Sequence, residues 1–288
     1  MIERKNKRVG RIGVFGVAHP VYWDQFPGLL DTLMQYHEEF KAILAKNDVE
    51  IVDYGMIDTN AKAYDALAKI QGDHPDVLMC NMLTYATSSV FAPIVRNAAQ
   101  PMVLVALQPR ETFDLSNGST RIQLENDNIC SVPEFTGVAI RMGKKVNDVI
   151  IGTLYGDEKA EAAIAEWCDI AKVLHDLHGA RFGLMGHVLE SMYDMHADPT
   201  AISAAFDVHV PLLEVDDMKA VFDEVKPEEI EAQQKAEFET LFWELDQETW
   251  QAYLDTHPDT LANGWNGIYI NEAGLDDSGT SIYTTQGE

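Results

Sequence analysis

Arg11-Ile12-Gly13-Val14-Phe15-Gly16-Val17-Ala18-His19-Pro20-Val21-Tyr22-Trp23 is an apolar run that stops abruptly in a turn carrying a histidine and two aromatic rings. A long helical pattern follows at once. This order predicts a first parallel strand delivering its carboxyl end to a ligand, because open parallel sheets bind ligands in the crevice outside those strand ends. His19, Tyr22 and Trp23 are therefore the first candidates for substrate binding. Aromatic rings also serve packing, and Tyr22 and Trp23 equally fit a role in seating the Phe26-Pro27 turn on a core.

Outward from that strand, Leu29, Leu30, Leu33, Met34, His37, Phe40 and Leu44 recur at spacings of three and four, the stripe of a helix laid on a sheet. Val49 to Tyr54 then reads as a strand, Ala61 to Ile70 as a helix and Asp76 to Asn81 as a nearly continuous apolar strand. Ser89 to Ala99 is a further helix and Pro101 to Leu107 a further strand. Buried strands alternating with helices imply right-handed βαβ units, a parallel sheet and a flavodoxin-like half.

Gln108 to Val132 breaks the rhythm with Asn117-Gly118-Ser119 and Asn126-Asp127-Asn128, and a connection of that length is usually functional or disordered. Pro133 to Met142 reads as a helix with proline in its first turn. Val149 to Leu154 is expected to open a second α/β series, continued by a helix over Glu158 to His178 and a strand over Ala180 to Met185. A helix over Thr200 to Phe206, a strand over Pro211 to Val215, and helices over Asp217 to Glu224 and Pro227 to Leu245 follow. The expected class is α/β: two consecutive Rossmann/flavodoxin-like parallel-sheet domains, 1–145 and 146–248, plus an irregular acidic C-terminal tail, 249–288. From Lys226 onward fourteen acids face two lysines, a composition of solvated or poorly ordered segments, although the Trp and Tyr content there argues for docking.

The composition excludes several function classes. With 47 acidic and 21 basic side chains the net charge is −26, which repels phosphate backbones and anionic lipid headgroups, so neither nucleic acid nor membrane is an expected partner. No segment reaches the roughly 18 uninterrupted apolar residues of a membrane span, and no signal peptide is expected at the basic start. A cytoplasmic location is expected. Cys80, Cys130 and Cys168 are widely spaced without a CxxC, arguing against a disulfide framework and a cysteine-based zinc site. Neither GxGxxG after the first strand nor GxxxxGK[ST] nor GxSxG occurs, so nucleotide binding and serine-based acyl transfer lose their usual signatures.

One dense set of potential ligands remains: His187, Glu190, Asp194 and His196, with His175 and His178 upstream. Imidazoles and carboxylates bind divalent ions, and His187 and Glu190 would share a helix face. The Gly186 and Asp198-Pro199 flanks favour instead a crevice loop whose polar groups are solvated or bind hydroxyls, so no metal site is assigned there. His175 and His178 at a helix end are expected to cap it. Arg181, entering a strand, needs a partner, either a loop carboxylate that it anchors or a substrate.

At Ala180-Arg181-Phe182-Gly183-Leu184-Met185-Gly186 the chain resembles the L-arabinose/L-fucose isomerase superfamily, closer to the arabinose isomerase branch. The turn from Gly16 to Trp23 and the stretch Cys130-Ser131-Val132-Pro133-Glu134-Phe135-Thr136-Gly137 carry the resemblance as well, over approximately Arg11 to Val225. It implies an aldose–ketose sugar isomerase in which Mn²⁺ holds two sugar oxygens while carboxylates move protons. It also implies an oligomer in which His19, Tyr22, Trp23 and, after the Arg181 strand, Met185 border a sugar site. The family's metal ligands, two glutamates and two histidines in its C-terminal half, have no counterpart that aligns after Leu245. Catalytic residues are accordingly unassigned, and the chain alone is expected to bind no metal. A homo-oligomer or a missing C-terminal half is the expected partner, and a non-catalytic sugar-binding or assembly module is the alternative.

Overall fold

The computed structural model describes residues 9–186, 188, 190–222 and 224–229. They fall into two compact units, one within Lys5–Leu213 and one from Glu214 onward. In the first, β1 (Arg11–Val17) is buried from Ile12 onward and lies inside the sheet, with a strand on either side. Its alternating side chains serve two cores. Ile12 and Val14 pack with Phe40 and Leu44 on one face, while Phe15 and Val17 pack with Ala66, Leu67 and Ile70 on the other. A strand buried on both faces needs an apolar run, which is why this stretch does not alternate with polar residues.

Five parallel strands form the sheet in the order β2-β1-β3-β4-β5, the order of doubly wound flavodoxin-like folds. These are β1, β2 (Glu50–Ile57), β3 (Val77–Met82), β4 (Met102–Gln108) and β5 (Asp148–Thr153). After a single-turn α1 (Tyr22–Gln25), α2 (Leu29–Ala45) covers the Ile12 face together with α7 (Glu158–Leu177). The Phe15 face is covered by α3 (Asn60–Asp73), α4 (Ala92–Asn97) and α6 (Val132–Arg141), with Phe91 and Phe135 stacked at 4.6 Å. Each fully buried ring or branched chain of this kind contributes about 1.5–3 kcal/mol.

The strand expected to open a second series belongs to this sheet. β5 pairs with β4 from Val103↔Asp148 to Gln108↔Thr153, so the sheet closes only with α7, beyond the boundary expected near 145. An apolar run reads the same whichever sheet receives it, and the long 109–147 connection turns out to be a crossover containing α5 (Thr120–Glu125) and α6. Asp157 makes the turn that follows: its carboxylate accepts Thr153 N–H at 3.0 Å and caps α7 by accepting Ala160 N–H at 3.0 Å.

After α7 a small parallel βαβ unit is built from β6 (Leu184–Met185), α8 (Pro199–Phe206) and β7 (Leu212–Leu213), extended by a bridge between Arg181 and His209. These are the strand, helix and strand expected over 180–215. Their apolar side chains are exposed, Phe182, Met185, Phe206 and Leu212 among them. Arg181 is exposed too, so water solvates the charge that was expected to need a partner. In the second unit, α9 (Val215–Phe222) starts two residues earlier than expected, and Asp217 closes its first turn by accepting Glu214 N–H at 2.9 Å. The helix expected over Pro227–Leu245 beyond Glu229, and the tail 249–288, lie outside the described residues. Among the described residues no helix is long and apolar enough to cross a membrane.

Two glycines inside helices have open space where a side chain would go: Gly72 in α3 and Gly137 in α6. Neither has a positive φ. Gly72→Ala and Gly137→Ala should each stabilise the fold by about 0.5–1 kcal/mol, read as a rise in the urea midpoint. A loss at either position would show that the open space is needed.

Candidate functional site

The chain leaves β1 toward β2 on one side and returns to β3 on the other, so the carboxyl ends of β1 and β3 border the switch point of the sheet. His19 follows β1 by two residues, and Thr84-Tyr85 occupies the same place after β3. The long connection brings a third wall, Asp127 to Glu134. It is fastened to the loop after β3 by Asn128 Nδ2 donating to Met82 O at 2.7 Å and by Ser131 Oγ bridging Ala86 N–H and C=O, both at 2.8 Å. Glu134 Oε1 accepts Ser88 N–H at 2.7 Å. A fourth tie comes from Arg121, which reaches Pro27 O at 2.6 Å and Glu125 at 3.0 Å. These contacts join the segments that border the crevice.

Tyr22 lies at its centre. Its ring is tilted against His19 at 5.7 Å and meets Phe26 edge-on at 6.5 Å. Burial raises its pKa first, and the charges of Asp127, Tyr85 and Cys130 add to the rise, so the phenol stays a hydrogen-bond donor at neutral pH. His19 Nδ1 accepts Val21 N–H at 3.2 Å, which leaves Nε2 as the proton-bearing nitrogen of the neutral ring. Trp23 is committed elsewhere: its indole N–H donates to Asp58 Oδ2 at 2.9 Å, and Asp58, nearly buried, pairs with Lys62 at 2.7 Å. Trp23 therefore ties the turn after β1 to the end of β2.

Burial raises the pKa of Asp127, against the hydrogen bond it receives from Cys130. The Cys130 thiol is raised in turn, by burial and then by Asp127 and Glu134, so it is a neutral donor and not a thiolate nucleophile. Thr84 Oγ1 and Asn128 Oδ1 are buried beside this wall with no partner among the described residues. The arrangement can donate from Tyr22 and His19 and accept at Asp127, which suits a compact, hydroxyl-bearing ligand.

Met185 lies in the separate β6–β7 sheet and is half exposed. His187 lies outside the described residues. Among those described, no group of three or more His, Cys, Asp and Glu side chains is placed to hold a metal ion, and Glu190, Asp194 and His196 are exposed. His178 is the C-cap of α7, its backbone N–H donating to Leu174 O at 2.9 Å, and His175 stands in the last turn, as expected of a helix end. The two rings also meet carboxylates, His175 that of Asp76 at 3.0 Å and His178 that of Asp207. These pairs edge a concavity of about 530 Å³ at the opposite, amino-terminal end of the sheet. Its polar groups largely satisfy one another, Asp76 also accepting Arg11 N–H at 2.7 Å. A second concavity of about 490 Å³ lies beneath Phe182, Leu184 and Met195. Neither volume coincides with the β1/β3 crevice, which is chosen for its donors and acceptors at the switch point rather than for its volume.

Tyr85, Asp127 and Glu134 were not among the expected site residues. Thr84-Tyr85 stands directly after an apolar strand, the same signal that selected His19. No protein-family model matches the chain, and no curated protein matches it in sequence.

Proposed function

We propose that the chain binds a small sugar or similar polyol in the crevice at the carboxyl ends of β1 and β3, as part of a protein related to the aldose–ketose isomerases of the arabinose and fucose type. The observation that carries this reading is the convergence of Tyr22, His19 and Asp127 at the switch point, with the tautomer of His19 set to donate. The order of the three motifs from Gly16 to Gly186 supports the kinship. In this reading the β6–α8–β7 unit begins a second α/β domain, followed by an acidic tail. Its exposed apolar side chains support an incomplete domain that a copy of the chain, or a missing catalytic half, would complete.

The manganese chemistry implied by the resemblance would need a ligand set that is not among the described residues; the part proposed for the crevice itself is binding and orienting the sugar. A non-catalytic sugar-binding or assembly role is the second reading, favoured by the same observation. Calorimetric titration with a panel of free aldoses tests the common core of both. Tyr22→Phe and His19→Ala should each weaken binding about tenfold, one hydrogen bond's worth of affinity. The purified chain with added Mn²⁺ should show negligible aldose–ketose turnover. Turnover at ordinary enzymatic rates would reveal ligands beyond the described residues, and unchanged affinity in both variants would move the site elsewhere.

A further inference from the structure

We infer that a third concavity, of about 280 Å³ at the amino-terminal end of the sheet, binds a small organic dianion, a phosphate monoester or a dicarboxylate, held by Lys144 and Lys145 beside the apolar Val95 and Met102. The site lies at the end of the strands opposite the crevice and does not depend on the reading given to it.

The concavity lies between the connections 98–101 and 144–147, which lead into β4 and β5. Among the described residues its charged lining consists of the two ammonium groups, and no Asp or Glu lines it, on a chain whose net charge is −26. Elsewhere that excess of acids is felt: Lys41, Lys46, Lys62 and Lys172 each lie within 3.0 Å of a carboxylate oxygen. Among the described residues no carboxylate meets Lys144 or Lys145. Nor are the two ammonium groups spent on the end of α6. The Val138, Ala139 and Ile140 carbonyls there accept the backbone N–H groups of Met142, Gly143 and Lys144 at 2.9 to 3.1 Å, and Gly143 makes the turn at φ 66°. This closed turn fixes where the two lysines leave the helix. Across from them Asn147 is locked onto β4, its N–H donating to Met102 O at 2.7 Å and its Oδ1 accepting Met102 N–H at 3.1 Å. Its Nδ2 is left as a further donor in the lining, and the Gln100 amide supplies another. The adjoining concavity, which shares Ala99, Gln100 and Pro101, does contain carboxylates, but Asp76 and Asp207 are already met by His175 and His178. A dianion would answer both ammonium groups through charge-assisted hydrogen bonds, whereas a single charge would leave one unmet. Val95 and Met102 suit a hydrocarbon body on the same ligand.

The test is calorimetric titration of the full chain in low salt at pH 8, where a phosphate monoester carries both of its charges. The probes are phenyl phosphate and phthalate, with benzoate as the monoanion and benzyl alcohol as the neutral counterpart. At least one dianion should bind tenfold or more tightly than benzoate and benzyl alcohol, and which of the two does so identifies the head group. Because both lysines are exposed, Lys144→Gln and Lys145→Gln should each weaken that binding about threefold, and the double variant about tenfold or more. Lys159→Gln, at the start of α7 and so at the opposite end of the sheet, should leave it unchanged. All three positions are exposed, so the variants are expected to fold. Failure of both dianions to bind at 20 mM would overturn the inference, as would benzoate binding as tightly as they do. Dianion binding that survives in the double variant, or that falls equally in Lys159→Gln, would overturn it by placing the attraction elsewhere. None of these results bears on the sugar titrations, which read the other end of the sheet.

Discussion

Gly10→Ala should cost about 3 kcal/mol and lower the melting temperature by roughly 6–12 °C, the largest effect expected of a single added methyl group at the described glycines. A Cβ at Gly10 would stand 2.6 Å from Lys172 N and 2.8 Å from the Ala171 carbonyl carbon, both backbone atoms of α7. Flexible side chains could yield at such distances, but the backbone of a 20-residue helix cannot move without lifting its buried face, Ile164, Cys168 and Ala171, off β1 and β5. Gly10 also anchors the sheet, its carbonyl accepting Glu50 N–H at 2.9 Å, so the chain cannot retreat to the other side. Urea unfolding followed by circular dichroism measures the loss. An unchanged midpoint would mean that α7 does not approach β1 as closely as described.

His37→Leu should be at least as damaging, about 3–5 kcal/mol, for an electrostatic reason. His37 on α2 is fully buried between two polar groups: Asn81 Nδ2 donates to its Nδ1 at 3.1 Å, and its Nε2 lies 3.1 Å from Asp53 Oδ1. In the neutral ring this fixes the proton on Nε2, where it is given to Asp53. Leucine would leave the Asn81 amide buried and unpaired, and Asp53 with only Lys41 at 2.6 Å and Gly55 N–H at 2.8 Å. Adding Asn81→Leu should recover part of the loss, because replacing both partners by apolar groups removes the orphan. Strict additivity of the two substitutions would count against the network.

The same network sets an acid dependence. Burial alone would raise the Asp53 carboxyl, but the hydrogen bonds from His37, Lys41 and Gly55 outweigh it and hold it well below the usual carboxylate range. A folded-state pKa below the unfolded value of about 3.9 means that this stability is fully present above that value and is lost as pH falls through the folded one. The wild-type stability should therefore decline below about pH 4, and His37→Leu should make that decline shallower. The comparison is made by urea titration at pH 2 to 5, and parallel slopes for the two proteins would remove His37 from the linkage.

Most of the sheet was legible in the residues because its three inner strands, β1, β3 and β4, are buried on both faces and so announce themselves as apolar runs. Val77 to Met82 and Met102 to Leu107 are such runs, and they fall where expected. Val149 to Leu154 was legible as a strand but not as the neighbour of β4, since pairing is decided by how the intervening crossover folds back. The helix expected over Ser89 to Ala99 shortens to Ala92–Asn97, preceded by a turn of 3₁₀ helix, with Pro93 in its first turn. His19 and Tyr22 were legible by standing just beyond a strand. Asp127 and Cys130 were not, because they reach the crevice from a connection whose irregular composition says nothing about where its middle lands. Met185 shows the converse: a place in a motif does not carry a residue to the crevice when its strand joins another sheet.

That the first strand of the sheet in chain order is an inner one, flanked on both edges, has a consequence for how the protein is made. β1 emerges from the ribosome with apolar side chains for two faces and hydrogen-bonding groups for two edges, but its partners are β2 and β3. Val77 follows Arg11 by 66 residues, which at synthesis rates of about 5–20 residues per second leaves β1 without one neighbour for roughly 3–13 seconds. Until then no hairpin can shelter it, because every contact it makes in the sheet is parallel and distant in the chain. Of all the strands that build the sheet, Arg11 to Val17 waits longest in the chain for its second neighbour.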